Sequence, residues 1–109
     1  MEMQPADPVT ADVLIFLSGA GGDRHFTVEN EGPAPARNVE LTIESEGGKN
    51  PPVLESELDK KFPIEELAAG EQRSVQAIIT TGTGIHFNAV VAWQNPDGSH
   101  REVSTRLTP

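Results

Sequence analysis

An all-β domain, an antiparallel β-sandwich of about seven strands, is the fold this sequence predicts. Three observations point there. Short apolar stretches recur at fairly even spacing; several of them alternate apolar and polar residues with the period of a half-buried strand; clusters of Gly, Pro, Asn and Asp separate them. The 109 residues suffice for one domain with one core, with residues 1–8 as an N-terminal tail and 9–109 as the folded unit. Hydrophobic residues make up 36% of the chain and aromatic residues only 5%, so the core must rest on Val, Ile, Leu and Ala, with Trp93 and four Phe as its larger pieces.

The first segment spans residues 9–17. Its run Val13-Leu14-Ile15-Phe16-Leu17 is continuous rather than alternating, as in a strand covered on both faces, and Ser18-Gly19-Ala20-Gly21-Gly22-Asp23 is expected to end it as a turn. In residues 24–30, Phe26 and Val28 face one way and His25, Thr27 and Glu29 the other. Pro33 and Pro35 then remove two ladder donors and hold the chain extended, the mark of a stiff crossover between sheets. Residues 37–45 carry the cleanest alternation, with Val39, Leu41 and Ile43 inward. A loop covers 47–52.

Residues 53–67 leave helix, strand and loop open. Glu55-Ser56-Glu57-Leu58-Asp59-Lys60-Lys61 fits one or two helical turns or a ragged edge strand, and its charge suits a solvated edge that resists sheet-to-sheet aggregation. Gly70 follows as the residue for a turn with positive φ. Residues 73–81 read as a strand with Val75, Ala77 and Ile79 inward, 81–84 as a loop, 86–94 as a strand with Phe87, Ala89, Val91 and Trp93 inward, and 102–107 as the last strand with Val103, Thr105 and Leu107 inward. Inward residues are odd-numbered on both of the last two strands, so paired positions must sum to an even number. A three-residue loop Pro96-Asp97-Gly98 meets that condition by pairing Asn95 with Ser99, and it suits a type I turn followed by a left-handed Gly. This register sets Arg101 opposite Trp93, where a guanidinium–indole stack would fit.

Composition excludes several function classes. The net charge is −9, from 17 acidic and 8 basic residues, and such a field repels phosphate backbones, so no nucleic-acid partner is expected. Cysteine is absent, which removes disulfides, thiolate ligands and thiol nucleophiles. The chain carries no basic-then-apolar signal peptide and no transmembrane segment, so no membrane insertion is expected; with strand residues reaching Leu107, it reads as a piece of a longer exported or membrane-anchored protein.

Chemical motifs are equally sparse. Gly19-Ala20-Gly21-Gly22 lacks the Gly-Lys and the following helix that a phosphate loop needs. His25, His86 and His100 do not gather: the hairpin register separates His86 from His100 by about 26 Å, at about 3.3 Å per residue. No Gly-x-Ser-x-Gly elbow is present. Glu55, Glu57, Asp59, Glu65 and Glu66 form the densest acidic zone, read as a solvated edge, with a weak surface calcium site as the alternative. No catalytic, cofactor-binding or metal residues are assigned, and no cofactor is expected.

The stretch Phe26-Thr27-Val28-Glu29-Asn30-Glu31-Gly32-Pro33-Ala34-Pro35-Ala36-Arg37-Asn38-Val39 resembles the V-x-N-x-G-x-x-P-A-x-x-V stretch of bacterial and archaeal immunoglobulin-like domains of the CARDB kind (cell-adhesion-related domain in bacteria). Leu67-Ala68-Ala69-Gly70-Glu71 is similar to their L-x-P-G-E turn, with Ala69 where Pro is usual, and the segment from Ala92 to Gly98 is similar to their last hairpin. The resemblance covers nearly the whole chain and implies an immunoglobulin-like antiparallel β-sandwich. It also implies a non-catalytic module for contact with an unknown protein partner, or for spacing, within a larger bacterial surface or membrane-associated protein. A carbohydrate- or cation-binding accessory domain is the alternative, although the chain has no Tyr and a single Trp in inward phase.

Overall fold

The structure, a computed structural model, describes residues 10–20, 22–47, 51–79 and 86–108. Along them run β1 (Val13–Ala20), β2 (Asp23–Asn30), β3 (Ala36–Glu46), α1 (Glu55–Lys61), β4 (Ile64–Leu67), β5 (Gln72–Gln76), β6 (His86–Gln94) and β7 (His100–Leu107). Two antiparallel sheets pack together as a β-sandwich. One has the order β1-β2-β5, the other β4-β3-β6-β7. The chain changes sheet between β2 and β3, where Pro33 and Pro35 lie, again between β4 and β5, and again between β5 and β6.

The alternation places the core. Phe26, Val28 and Val75 of the three-stranded sheet face Val39, Leu41, Ile43, Phe87, Ala89, Val91 and Trp93 of the four-stranded one, all of them buried. The Phe26 and Phe87 rings meet edge to face with centroids 5.7 Å apart, tying the sheets at mid-core. The last hairpin has the expected register: Trp93 pairs with Arg101 and Gln94 with His100, the Asn95 amide donates to the Ser99 carbonyl at 2.8 Å, and Gly98 sits at φ 92°. The Trp93 indole is engaged by Asn95 Oδ1, which accepts its Nε1–H at 3.2 Å, and a guanidinium stack is not among its contacts.

Several elements differ from the sequence reading. β1 runs on through Ser18, Gly19 and Ala20, which pair with His25, Arg24 and Asp23, so strand pairing takes in four of the six residues expected to form the turn. The outer residues Leu14 and Phe16 are half-exposed rather than covered. The charged stretch after residue 54 is the helix α1, not an edge strand. Glu55 and Glu57 lie in its first turn and Lys60 and Lys61 in its last, which matches the helix dipole, and Glu57 pairs with Lys61 one turn on at 3.8 Å. The solvated acidic edge is instead β4, with Glu65 and Glu66 exposed. β5 ends at Gln76, although Ala77 still packs into the core. The expected loops at 47–52 and 81–84, like the tail and Val9, fall wholly or partly outside the described residues.

Two buried asparagines fix one end of the sandwich. Asn30 Oδ1 accepts from the amides of Asp12 (3.2 Å) and Gly32 (3.0 Å), while its Nδ2 donates to the carbonyls of Ala34 (2.7 Å) and Leu67 (3.0 Å). That uses the full capacity of the side-chain amide. Its backbone adds a bond in each direction to the turn at 68–71, from Asn30 N to Glu71 O and from Gly70 N to Asn30 O. Asn95 Oδ1 accepts from the Ala11 amide at 2.9 Å as well as from Trp93. Replacing Asn30 with Ala strands four donors and acceptors on three separate segments. Asn30→Ala is expected to lower unfolding stability by about 3 kcal/mol, measured by urea titration, with Gly98→Ala costing only about 1 kcal/mol because its sole penalty is positive φ.

Candidate functional site

At the opposite end of the sandwich the β1–β2 hairpin, the approach to α1 and residues 77–79 enclose a groove of about 490 Å³. Its walls carry Arg24, Leu54, Glu57, Ala77, Ile78 and Ile79. Backbone bonds hold the walls: Ala77 N donates to Arg24 O at 2.8 Å, and Ile78 N to Pro52 O at 2.6 Å. Leu54 is the most exposed large hydrophobic residue of the described chain, at 54%. The volume lies in the range of small-ligand and peptide-side-chain pockets.

Arg24 sets this groove apart. It shares the inward phase of Phe26, Val28 and Asn30, two positions beyond the core ring of Phe26, and is half-buried. Its Nε is enclosed without a hydrogen-bond partner, and no ion pair involves its guanidinium among the described residues. Glu57, on the same wall, is within 3.8 Å of Lys61. The side chain is half-buried and only its Nε is shut off from solvent, so this one N–H is what the fold leaves without an acceptor. The alternation of Phe26 and Val28 already put Arg24 in inward phase, but a charge at a strand's first residue reads from sequence as solvated.

The residues weighed for chemistry are dispersed. His25 is on the outer face of β2 beside Asp23 (3.7 Å), His86 begins β6 with its Nδ1 buried and unpaired, and His100 begins β7. Among the described residues no three His, Cys, Asp or Glu side chains stand close enough to hold a metal ion. The acidic zone divides between α1 and β4, and Glu66 is drawn to Arg37 at 3.7 Å. Trp93 is 2% exposed, so it offers no stacking platform to a sugar.

Two carboxylates have lowered pKa values, both serving turns. Glu71 is held below its ordinary 4.5 first by the Ala68 amide and then by the Arg73 guanidinium. Asp97 is held below 3.8 first by the Ser99 hydroxyl and then by the Ser99 amide. A depressed folded-state value means that stability is present above the ordinary pKa and is lost as pH falls through the lowered one.

No protein-family model, curated protein or solved structure matches the chain. What stands for the fold is the two-sheet antiparallel β-sandwich with one short helix.

Two measurements check this reading of the charges. Carboxyl NMR titration should give Glu71 and Asp97 midpoints below 4.5 and 3.8 respectively, with the two turns loosening only under those values. Arg24→Met should raise unfolding stability by about 1 kcal/mol in urea, because it removes an enclosed N–H that has no acceptor and leaves an apolar side chain of similar length.

Proposed function

We propose that this chain is a non-catalytic immunoglobulin-like module of the CARDB kind, used for protein–protein contact or spacing within a larger bacterial surface or membrane-associated protein. The immunoglobulin-like reading is supported by the sheet changes at β2–β3, β4–β5 and β5–β6, and by a packed inter-sheet core. It is supported too by the N-x-G-x-x-P crossover, whose Asn30 and Gly32 make contacts that other residues would lose.

A single observation carries the contact role: among the described residues no strand pairs with the outer edge of β1. A sandwich of two open sheets has four edges, and three of them are guarded. β4 is short and bears Glu65 and Glu66; β7 bears Arg101, Glu102 and Arg106; β5 lies beside α1, whose Lys61 Nζ donates to the Ser74 carbonyl at 2.8 Å. β1 is eight residues long, reads VLIFLSGA, and has no charged side chain. An unguarded apolar edge is a template for an added strand, in which main-chain hydrogen bonds supply affinity and side-chain alternation supplies register. Leu14 and Phe16, on the outer face beside Glu29 and Thr27, would take the alternate side chains of such a strand.

Affinity capture with matched variants tests this. Proteins retained at micromolar strength by the parent chain should be lost from the Leu14→Lys/Phe16→Lys variant, which charges the outer face of β1 and leaves the core intact. Arg106→Gln, on the β7 edge, should retain them. Equal capture by both variants removes β1 as the contact edge, and no capture by the parent leaves spacing alone.

A further inference from the structure

We infer that the groove at the hairpin end binds the C-terminus of a basic, extended peptide, with the terminal carboxylate on Arg24 and an aliphatic last residue against Leu54, Ile78 and Ile79. This goes beyond strand addition at β1 and stands whether or not that edge pairs.

The argument begins with Arg24. The chain has only 8 basic residues against 17 acidic ones, and several of the basic ones already have partners: Arg37 with Glu66, Lys61 with Glu57, Arg73 with Glu71 and Arg106 with Glu46. Arg24 stands half-buried in the inward phase with its Nε enclosed, and among the described residues its guanidinium has no ion-pair partner. With its Nε enclosed, the guanidinium has its two terminal nitrogens to offer as a planar pair of donors, and the group that matches such a pair is a carboxylate. The groove in front of it is lined by Leu54, Ala77, Ile78 and Ile79 together with the polar Glu57 and Gln76, and the aliphatic part of that lining suits a carboxylate attached to aliphatic carbon. Leu54 is left exposed on the rim, where an aliphatic side chain would cover it.

Charge selects a peptide over a free aliphatic acid. A small anion approaching a molecule of net charge −9 is repelled before it reaches Arg24, whereas a chain whose body carries lysines is attracted. Glu57 on the same wall is already within 3.8 Å of Lys61, so the attraction for lysines that precede the terminal residues comes from the net negative charge of the molecule. The Arg24 guanidinium at the groove and the surplus negative charge of the molecule around it thus define the direction of the peptide: carboxylate in, basic body out.

The test is fluorescence anisotropy with a labelled hexapeptide that carries two lysines, a short spacer and a Val-Leu C-terminus with a free carboxylate. Its C-terminal amide is the comparator, and decanoate is the lipid-acid arm. The free acid should bind with a Kd on the order of 50 µM, and the amide about tenfold more weakly. Arg24→Gln should reduce affinity for the acid about tenfold and leave the amide unchanged, while Arg24→Lys, which keeps the charge without the fork, should fall between. Trp93 fluorescence reports that each variant is folded. The Leu14→Lys/Phe16→Lys variant should bind the peptide as the parent does, which separates failure here from failure of the β1 contact. Equal affinity for acid and amide, indifference to Arg24→Gln, or no binding at about 1 mM peptide overturns the inference. Binding of decanoate in place of the peptide overturns it in favour of a lipid acid.

Discussion

Everything at one end of this molecule depends on the side-chain amide of Asn30. A β-sandwich with short connections must bury backbone groups where the chain leaves one sheet for the other, and buried amides and carbonyls without partners are costly. Asn30 answers four such groups at once, on the approach to β1, the crossover and the end of β4. No aliphatic residue could hold that position, and Asp could not donate to the carbonyls of Ala34 and Leu67. Gly32 is bound to the same arrangement: a Cβ there would lie 2.6 Å from both the Asp12 amide nitrogen and the Thr10 carbonyl oxygen, inside the space the first segment occupies. The crossover is thus a packing and hydrogen-bonding solution, and it leaves no capacity of the Asn30 side chain for a ligand.

The other end is built on the opposite principle. There the core thins, an Arg takes an inward position, and apolar residues are left at the rim. The two ends share one core but are tuned differently: polar groups are matched partner for partner at the asparagine end and left with spare capacity at the hairpin end. Specific binding sites on rigid scaffolds draw on such spare capacity, because a ligand gains only from groups the fold has not already satisfied.

Much of the sandwich was legible in the sequence because its two signals, alternation and turn chemistry, agree. In β6 and β7 the odd-numbered apolar positions and the Pro96-Asp97-Gly98 turn each require the same register, and the structure has it. The residues after Leu54 were harder. The first two turns of α1 bury nothing, so no apolar stripe marks a helix; the charges that suit its dipole suit a strand edge equally well. At the start of the chain, Gly19 and Gly21-Gly22 read alike as turn residues, yet Gly19 lies within β1 because pairing with Arg24 extends the hairpin past it. The bulge between Arg37 and Glu40, with Asn38 at φ 51°, shows in the sequence only as the three-residue step from Ala36 to Val39, ahead of the regular alternation Val39, Leu41, Ile43. The groove was invisible for a different reason: it is made by three segments distant in sequence, and its one informative residue, Arg24, speaks only when its phase is counted from Phe26.

The asparagine pair has a mechanical consequence. β1 begins at the asparagine end, where Val13 pairs with Asn30, and β7 finishes at the hairpin end, where Leu107 pairs with Phe87. Tension between the two would therefore slide β1 along β2 and β7 along β6, loading each ladder in shear so that its bonds resist together rather than opening one after another. Just ahead of β1, the amides of Ala11 and Asp12 are bonded to Asn95 and Asn30. Those two side chains lie where such a force would enter, and they hold the lead-in to β1 as a latch holds a door against a pull along its edge.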